Sequence, residues 1–196
     1  EKTMRSRSLM FFSHASAIAS GFNKRIVLVI PENGYISLNI PLTYSRKGTS
    51  STKTTHPHYL MLLQKLINNF KLKVTLINPY QFKRSCYHPD VGRMRGESET
   101  QHCGTCLPCV IRRAAIKSAG VKDMTTYFDL DFSSGPTARM NLNSYLLGLE
   151  KFNDDRAFLD VQMSVPLDSD IIHYESLLIR GMAELKEVLM DYYEDN

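Results

Sequence analysis

The sequence contains no apolar stretch that could cross a membrane, because its longest unbroken apolar runs have five residues and a transmembrane helix needs about 20. It also lacks the basic stretch, apolar run and small-residue cleavage site of a secretory signal, so we expect a cytoplasmic protein. Internal repeats and low-complexity tracts are absent as well.

The chain has 196 residues, of which 43% are hydrophobic and 22% charged. This length and composition indicate one globular domain with or without an appendage, and they exclude disordered, collagenous and coiled-coil proteins.

Acidic residues are scarce in the first part of the chain. Residues 1–118 hold 18 Lys and Arg but 5 Asp and Glu, a net charge of +13, whereas residues 119–196 hold 6 and 15, a net charge of −9. Such a basic region attracts nucleic acid, nucleotide phosphates or carboxylate substrates, and charge alone does not choose among them. No stripe of alternating basic and aromatic residues, the pattern that stacks bases, accompanies it. Nucleic acid is therefore the less favoured partner.

The first part of the chain has the pattern of a parallel crossover unit. A helix to about residue 19, apolar on most sides and therefore expected to be well buried, precedes a β-branched run over 25–30. That run is typical of a strand buried on both faces. Apolar residues at helical spacing predict a helix over 57–70, and a second short strand follows over 72–77. Strand, connection with helix, strand indicates an α/β fold with a parallel sheet.

The rest of the chain divides by composition. Residues 83–118 hold all four cysteines, and the segment beyond them is acidic, with amphipathic helices predicted around 142–152 and 174–192. We therefore expect three parts: an α/β part over 1–82, a metal-binding module over 83–118 and an acidic helical extension over 119–196. Because a motif-rich segment follows the opening glutamate almost at once, we also expect a downstream piece of a longer protein.

The four cysteines are spaced as metal ligands. Cys103, Cys106 and Cys109 form two consecutive C-x-x-C steps, and Cys86 lies 16 intervening residues upstream. Four thiolates satisfy a tetrahedral Zn²⁺ with no open position, so the pattern predicts a structural zinc site. An iron–sulfur cluster is the main competitor, since four cysteines also ligate one. Disulfides would need an oxidising compartment, which nothing in the sequence indicates.

A long polar loop after the first predicted strand is a candidate anion-binding region. Ligands of open α/β sheets bind at the carboxyl ends of the strands, where Glu32 and Asn33 lie. Cations, hydroxyls and a helix start are groups that a phosphate or carboxylate recognises, and the loop offers Arg46, Ser51, Thr52, Lys53 and His56. The plain alternative is a solvated Ser/Thr loop, and His56 could equally cap the helix that follows.

The cysteine module carries a resemblance to a known family. Ser85-Cys86-Tyr87, then Cys103-Gly-Thr-Cys-Leu-Pro-Cys109 with Arg112 behind it, resembles the zinc module of the 7-cyano-7-deazaguanine synthase (QueC) family. Arg7 and Ser8 ahead of a helix of small residues resemble that family's short arginine motif. The resemblance covers about residues 4–118.

Two further stretches resemble one branch of the family. Residues 31–34 and 51–58 are similar to the QueC-like proteins of anti-phage defence clusters (Qat type). The family lies in the PP-loop, or adenine nucleotide α-hydrolase, superfamily, so the resemblance implies a doubly wound parallel sheet and a structural zinc. It also implies ATP-dependent adenylation of a 7-deazaguanine carboxylate, assisted by Mg²⁺, followed by amide and nitrile formation in queuosine biosynthesis.

The resemblance also assigns roles and shows departures. Arg7 would contact nucleotide phosphate, while Glu32, Asn33, Arg46, Lys53 and the neighbouring hydroxyls would line the substrate side. The Ser-Gly-Gly-x-Asp-Ser PP-loop is absent from the chain, which would leave it catalytically incomplete by itself. The long spacing from Cys86 to Cys103 and the acidic tail fit a divergent defence paralogue, whose acceptor could be a protein amine in place of ammonia.

Two other functions fit the same residues. A zinc-ribbon module that binds nucleic acid would use the basic region, and its affinity would fall steeply with salt. A thiolating enzyme of the PP-loop superfamily would carry an iron–sulfur cluster on the four cysteines.

Overall fold

The computed structural model of the chain is a helix-rich α/β structure with a small parallel sheet. It describes residues 7–30, 34–38, 42, 55–77, 86, 91, 96, 101–164 and 171–192. Within these ranges, no helix is both long and apolar enough to span a lipid bilayer.

The first part of the chain forms the predicted crossover unit. In chain order its elements are α1 (Arg7–Ser20), β1 (Ile26–Val29), α2 (Gly34–Leu38), α3 (Pro57–Asn69) and β2 (Val74–Ile77). The two strands pair in parallel, with Ile26 opposite Val74 and Val29 opposite Ile77. The prediction of two parallel strands joined through a helix is therefore confirmed, and each strand is slightly shorter than expected.

The side-chain amide of Gln64 pairs with the outer edge of β2. Its Nε2 donates to the carbonyl of Val74 at 3.0 Å, and its Oε1 accepts from the backbone N–H of Leu76 at 2.7 Å. These backbone groups alternate with those that face β1, because neighbouring residues of a strand direct their polar groups to opposite edges. Gln64 thus ties α3 to β2 and satisfies an edge that a third strand would otherwise use.

The small core of this unit covers one face of the sheet. Ala19, Leu63, Ile67 and Val74 are its buried members. The expectation that α1 is well buried is wrong, because Phe11 is 59% exposed and Ile18 70% exposed. The expectation that β1 is buried on both faces is wrong as well, since Val29 is 53% exposed.

The second part of the chain is helical, as predicted. Its α-helices are α4 (Leu107–Ser118), α5 (Pro136–Glu150), α6 (Ala157–Ser164) and α7 (Ile171–Leu189), with single 3₁₀ turns at Asp154–Arg156 and Met190–Tyr192. The two amphipathic helices of the sequence are confirmed as α5 and α7, each beginning a few residues earlier than its apolar pattern. Helices α4 and α6 were not predicted, and neither was α2, which lies in the stretch expected to be a polar loop.

The main core joins α2, the cysteine-bearing helix α4 and the C-terminal helices. Tyr35 and Leu38 of α2, and Val110 and Ala114 of α4, are buried together with α7 residues such as Leu178. Burial of this kind stabilises a fold by roughly 25 cal/mol for each Å² of apolar surface removed from water. Helix α4 therefore packs on the acidic helices, and the three-part division at 82 and 118 remains a prediction.

Candidate metal centre

The sulfur atoms of the four cysteines come together at one point. The ligand atoms of Cys86, Cys103, Cys106 and Cys109 all lie within 4.8 Å of one another. Three of the sulfur–sulfur distances are 3.7 Å (Cys86–Cys103), 3.9 Å (Cys103–Cys109) and 4.0 Å (Cys106–Cys86). All four are free thiols. The cluster could hold a metal ion, as the spacing of the cysteines predicts.

The local backbone explains how these sulfurs converge. Cys103 and Cys106 flank a tight turn in which Gly104 has φ of 85°, a conformation that residues with a side chain rarely adopt. The N–H of Cys106 donates to Sγ of Cys103 at 3.4 Å, and the N–H of Cys103 donates to Sγ of Cys86, also at 3.4 Å. Cys106 then occupies the N-cap position of α4 without a capping hydrogen bond from its side chain, and Pro108 lies in the first turn. Cys109 follows on that turn, so the helix directs the last sulfur.

The thiols of the cluster are electrostatically inequivalent. Hydrogen bonds from the Cys106 and Cys109 thiols lower the pKa of Cys103. The hydrogen bonds that Cys109 makes to Cys103 and Cys106, together with burial, raise the pKa of Cys109. Binding of a cation would release protons from the cluster, because the thiolate is the metal-binding form.

Two arginines of α4 follow Cys109 in the sequence, and one of them contacts the cysteine loop. Arg112 is buried, and its charge acts on His102 and Asp123. Arg113 donates to the carbonyl of Gly104 at 3.4 Å. Lys117, at the end of the same helix, donates to the carbonyl of Glu187 at 2.9 Å. That contact joins α4 to the end of α7.

A turn after the cysteines packs directly on the metal-binding loop. The backbone N–H of Asp129 donates to the carbonyl of Cys103 at 3.2 Å. Its buried carboxylate accepts from the N–H groups of Asp131, Ser133 and Ser134 at 3.0, 3.2 and 2.9 Å. Burial disfavours the charged form, but these hydrogen bonds outweigh it and lower the pKa of Asp129. Sequence reasoning missed this residue, although the run Ser133-Ser134-Gly135 a few residues later is a local turn signal.

We expect Asp129→Ala to lower the free energy of unfolding by about 2–4 kcal/mol, because several buried N–H groups lose their acceptor. Urea denaturation measures the loss. Asp131→Ala is the matched control, since the Asp131 side chain is exposed in the same turn and its removal should cost less than about 0.5 kcal/mol. Equal losses in the two variants would show that the Asp129 carboxylate does not organise the turn.

Most residues predicted to bind nucleotide or substrate lie outside the described ranges. These are Glu32, Asn33, Arg46, Ser51, Thr52 and Lys53. Arg7 is the first residue of α1, and its side chain also lies outside the description. Of the predicted set, only His56 has a side chain within the described ranges. The ligand roles of the other residues remain proposals.

His56 is fully buried at the start of α3. Its Nδ1 accepts from the backbone N–H of His58 at 3.2 Å, so the side chain caps the helix. Its Nε2 lies 3.4 Å from Oγ of Ser164 in α6. The capping role is one of the two readings that the sequence left open.

Comparison with curated proteins finds relatives named 7-cyano-7-deazaguanine synthase. A 7-cyano-7-deazaguanine synthase of Methanococcus maripaludis is 32% identical over 148 residues, covering 65% of this chain and 59% of the relative. One of Methanococcus aeolicus is 29% identical over 119 residues (59% and 48%), and one of Brucella ovis is 36% identical over 63 residues (32% and 23%). These distant relatives support a QueC-like family.

The similarity is partial. The chain spans 59% of the length of the first of these relatives. No family model matches the chain. No solved structure matches it with significant similarity.

Proposed function

We propose that the chain is part of a QueC-like synthase that acts on a 7-deazaguanine small molecule and holds a structural zinc ion. The observation that carries the proposal is the convergence of Cys86, 17 positions before Cys103, on the C-x-x-C-x-x-C loop. The name of the distant relatives supplies the substrate class.

The geometry of the sulfurs supports one zinc ion. A tetrahedron with zinc–sulfur bonds of about 2.3 Å has edges of about 3.8 Å. The sulfur–sulfur distances of 3.7 Å (Cys86–Cys103), 3.9 Å (Cys103–Cys109) and 4.0 Å (Cys106–Cys86) are close to that value. An iron–sulfur cluster has several iron and sulfide atoms between its cysteines, and it needs a wider separation. Four thiolates leave no position for water or substrate, so the ion would stabilise the loop and take no part in the reaction.

Catalysis would take place at the carboxyl ends of the parallel strands. In the proposed reaction the substrate carboxylate attacks the α-phosphorus of Mg²⁺-bound ATP, and pyrophosphate leaves. Ammonia then displaces AMP to form an amide, and a second activation by ATP leads to the nitrile. Arg7 would contact phosphate, and Glu32, Asn33, Arg46, Ser51, Thr52 and Lys53 would line the substrate side. In a defence paralogue of the Qat type, the acceptor would be an amine of a partner protein.

The uncovered sheet supports a larger α/β layer in the complete protein. Parallel strands are normally buried on both faces, yet Val27 and Val29 of β1 and Ile77 of β2 are exposed. Helices of a doubly wound sheet would cover this face, and the complete layer would include a PP-loop. The relatives are longer than the region they share with this chain, which leaves room for such a layer.

We expect Arg46→Ala and Lys53→Ala, made in the full-length protein, each to lower ATP turnover at least about tenfold, because each removes a cation from phosphate or carboxylate. Turnover with 7-deazaguanine carboxylate measures the effect, and thermal unfolding checks that the fold is intact. Lys65→Ala, which removes an exposed cation of α3, is the control. Turnover unchanged in both variants would refute the assignment.

The net charge of +13 over residues 1–118 favours one second candidate, a zinc-dependent nucleic-acid-binding module. Its affinity for an oligonucleotide would fall steeply as salt is raised. A nucleotide site would instead prefer ATP over other triphosphates. Titration with both ligands at two salt concentrations therefore separates the two functions.

A further inference from the structure

The connection between β1 and α3 contains α2, and α2 packs against the C-terminal helix α7. The ring of Tyr35 lies against Gly181 of α7, where a Cβ atom would come within 2.5 Å of Cδ2 of the ring. The hydroxyl of Tyr35 donates to Sδ of Met182 at 3.1 Å. Tyr35 and Leu38 are both buried in the main core. The absence of a side chain at Gly181 therefore allows α7 to pack closely on α2. Helix α2 directly follows the predicted ligand residues Glu32 and Asn33 in the sequence.

A second contact holds the middle of the connection. A Cβ atom on Gly148 of α5 would lie 2.6 Å from the carbonyl oxygen of Leu42 and 3.1 Å from its Cβ. Leu42 also packs against the main core. The absence of a side chain at Gly148 therefore lets the backbone at Leu42, four residues before Arg46, lie directly on α5.

A third contact holds the end of the connection. The hydroxyl of Ser164 donates to the carbonyl of Val161 at 2.7 Å, which leaves its oxygen to accept from Nε2 of His56. Because Nδ1 of His56 accepts from the N–H of His58, the proton of the neutral ring lies on Nε2, the tautomer that donates to Ser164. His56, the N-cap residue of α3, is thus hydrogen-bonded to α6, and it lies three residues after Lys53 in the sequence.

We propose that α5, α6 and α7 together form the positioning element for the β1–α3 connection, with Gly148, Ser164 and Gly181 as positioning residues. The inference rests on the proposed function: the predicted ligand residues Glu32 and Asn33 directly precede α2 in the sequence, and the others fall between positions 42 and 56. Contacts from three different helices hold Tyr35, Leu42 and His56, and they would give the acidic extension a role in ligand binding.

Ser164→Ala tests the proposal in the full-length protein with the smallest change. We expect about a fivefold weaker affinity for Mg·ATP or for 7-cyano-7-deazaguanine, by calorimetry, because one hydrogen bond to the cap is lost. Hydrogen exchange in peptides covering residues 39–56 should also accelerate, while peptides of the cysteine loop keep their rate. Ser164→Thr retains the hydroxyl and should restore both. Gly181→Ala, which pushes against Tyr35, should reproduce the effect of Ser164→Ala.

Ser176→Ala is the matched control, because the Ser176 hydroxyl also donates to a carbonyl of its own helix (Ile172, 3.0 Å) but is exposed. It should change neither affinity nor exchange. Unchanged exchange over residues 39–56 in both Ser164→Ala and Gly181→Ala would overturn the proposal, as would equal acceleration in Ser176→Ala. If the wild-type protein binds neither probe, the proposed function fails, and the exchange rates alone decide whether the helices position the connection.

Discussion

Cys109→Ser should remove the bound metal and lower the free energy of unfolding by about 3–5 kcal/mol. Cys109 is fully buried on the first turn of α4, so its sulfur contributes to the site and to the start of a core helix at once. The binding energy of a structural metal is folding energy, because the preformed site does not exist in the unfolded chain. For a chain of this length the loss corresponds to a decrease in Tm of about 10 °C.

Metal analysis and thermal unfolding of the same samples test this expectation. A chelator should destabilise the wild-type protein by a similar amount and should have little further effect on Cys109→Ser. Thr105→Ser changes a buried residue of the same loop that holds no sulfur, and it should keep the metal. If Cys109→Ser retains a full complement of metal, Cys109 is not a ligand.

Gly104→Ala should lower the free energy of unfolding nearly as much as Cys109→Ser, although it removes no sulfur. The backbone of Gly104 has φ of 85°, where an L side chain costs about 1–2 kcal/mol. In addition, a Cβ atom there would overlap the carbonyl oxygen of Asp129. Since that neighbour is backbone and not the end of a flexible side chain, the turn must move. We expect a loss of about 4 kcal/mol and a marked decrease in metal content.

Gly120→Ala separates the two causes. Gly120 also has a positive φ, of 63°, but a Cβ atom there would meet nothing within 4 Å. It should therefore cost about 1 kcal/mol and leave the metal bound. Equal losses for Gly104→Ala and Gly120→Ala in urea denaturation would mean that the close approach of Asp129 to the cysteine loop is unimportant.

The features predicted correctly from the sequence are those encoded in short stretches of chain. Two C-x-x-C steps bring Cys103, Cys106 and Cys109 together through local turns, and the count of four sulfurs then identified Cys86. The parallel pair β1 and β2 followed in the same way, because a β-branched run and a helical repeat each indicate one element.

The features missed or wrong depend on contacts between distant residues. The apolar pattern of α1 does not reveal what covers it, and Ile18 is exposed despite that pattern. The contact of His56 with Ser164 joins residues 108 positions apart, which no local pattern encodes. For the same reason the sequence around Gly148 and Gly181 does not indicate that Leu42 and Tyr35 lie directly against these two glycines.

X-ray absorption at the metal edge of the purified full-length protein tests the central claim most directly. The account predicts one zinc ion per chain with four sulfur neighbours at about 2.3 Å and no nearby metal. Iron with a second metal in its scattering shell, or zinc bound by fewer than four sulfurs, would contradict it.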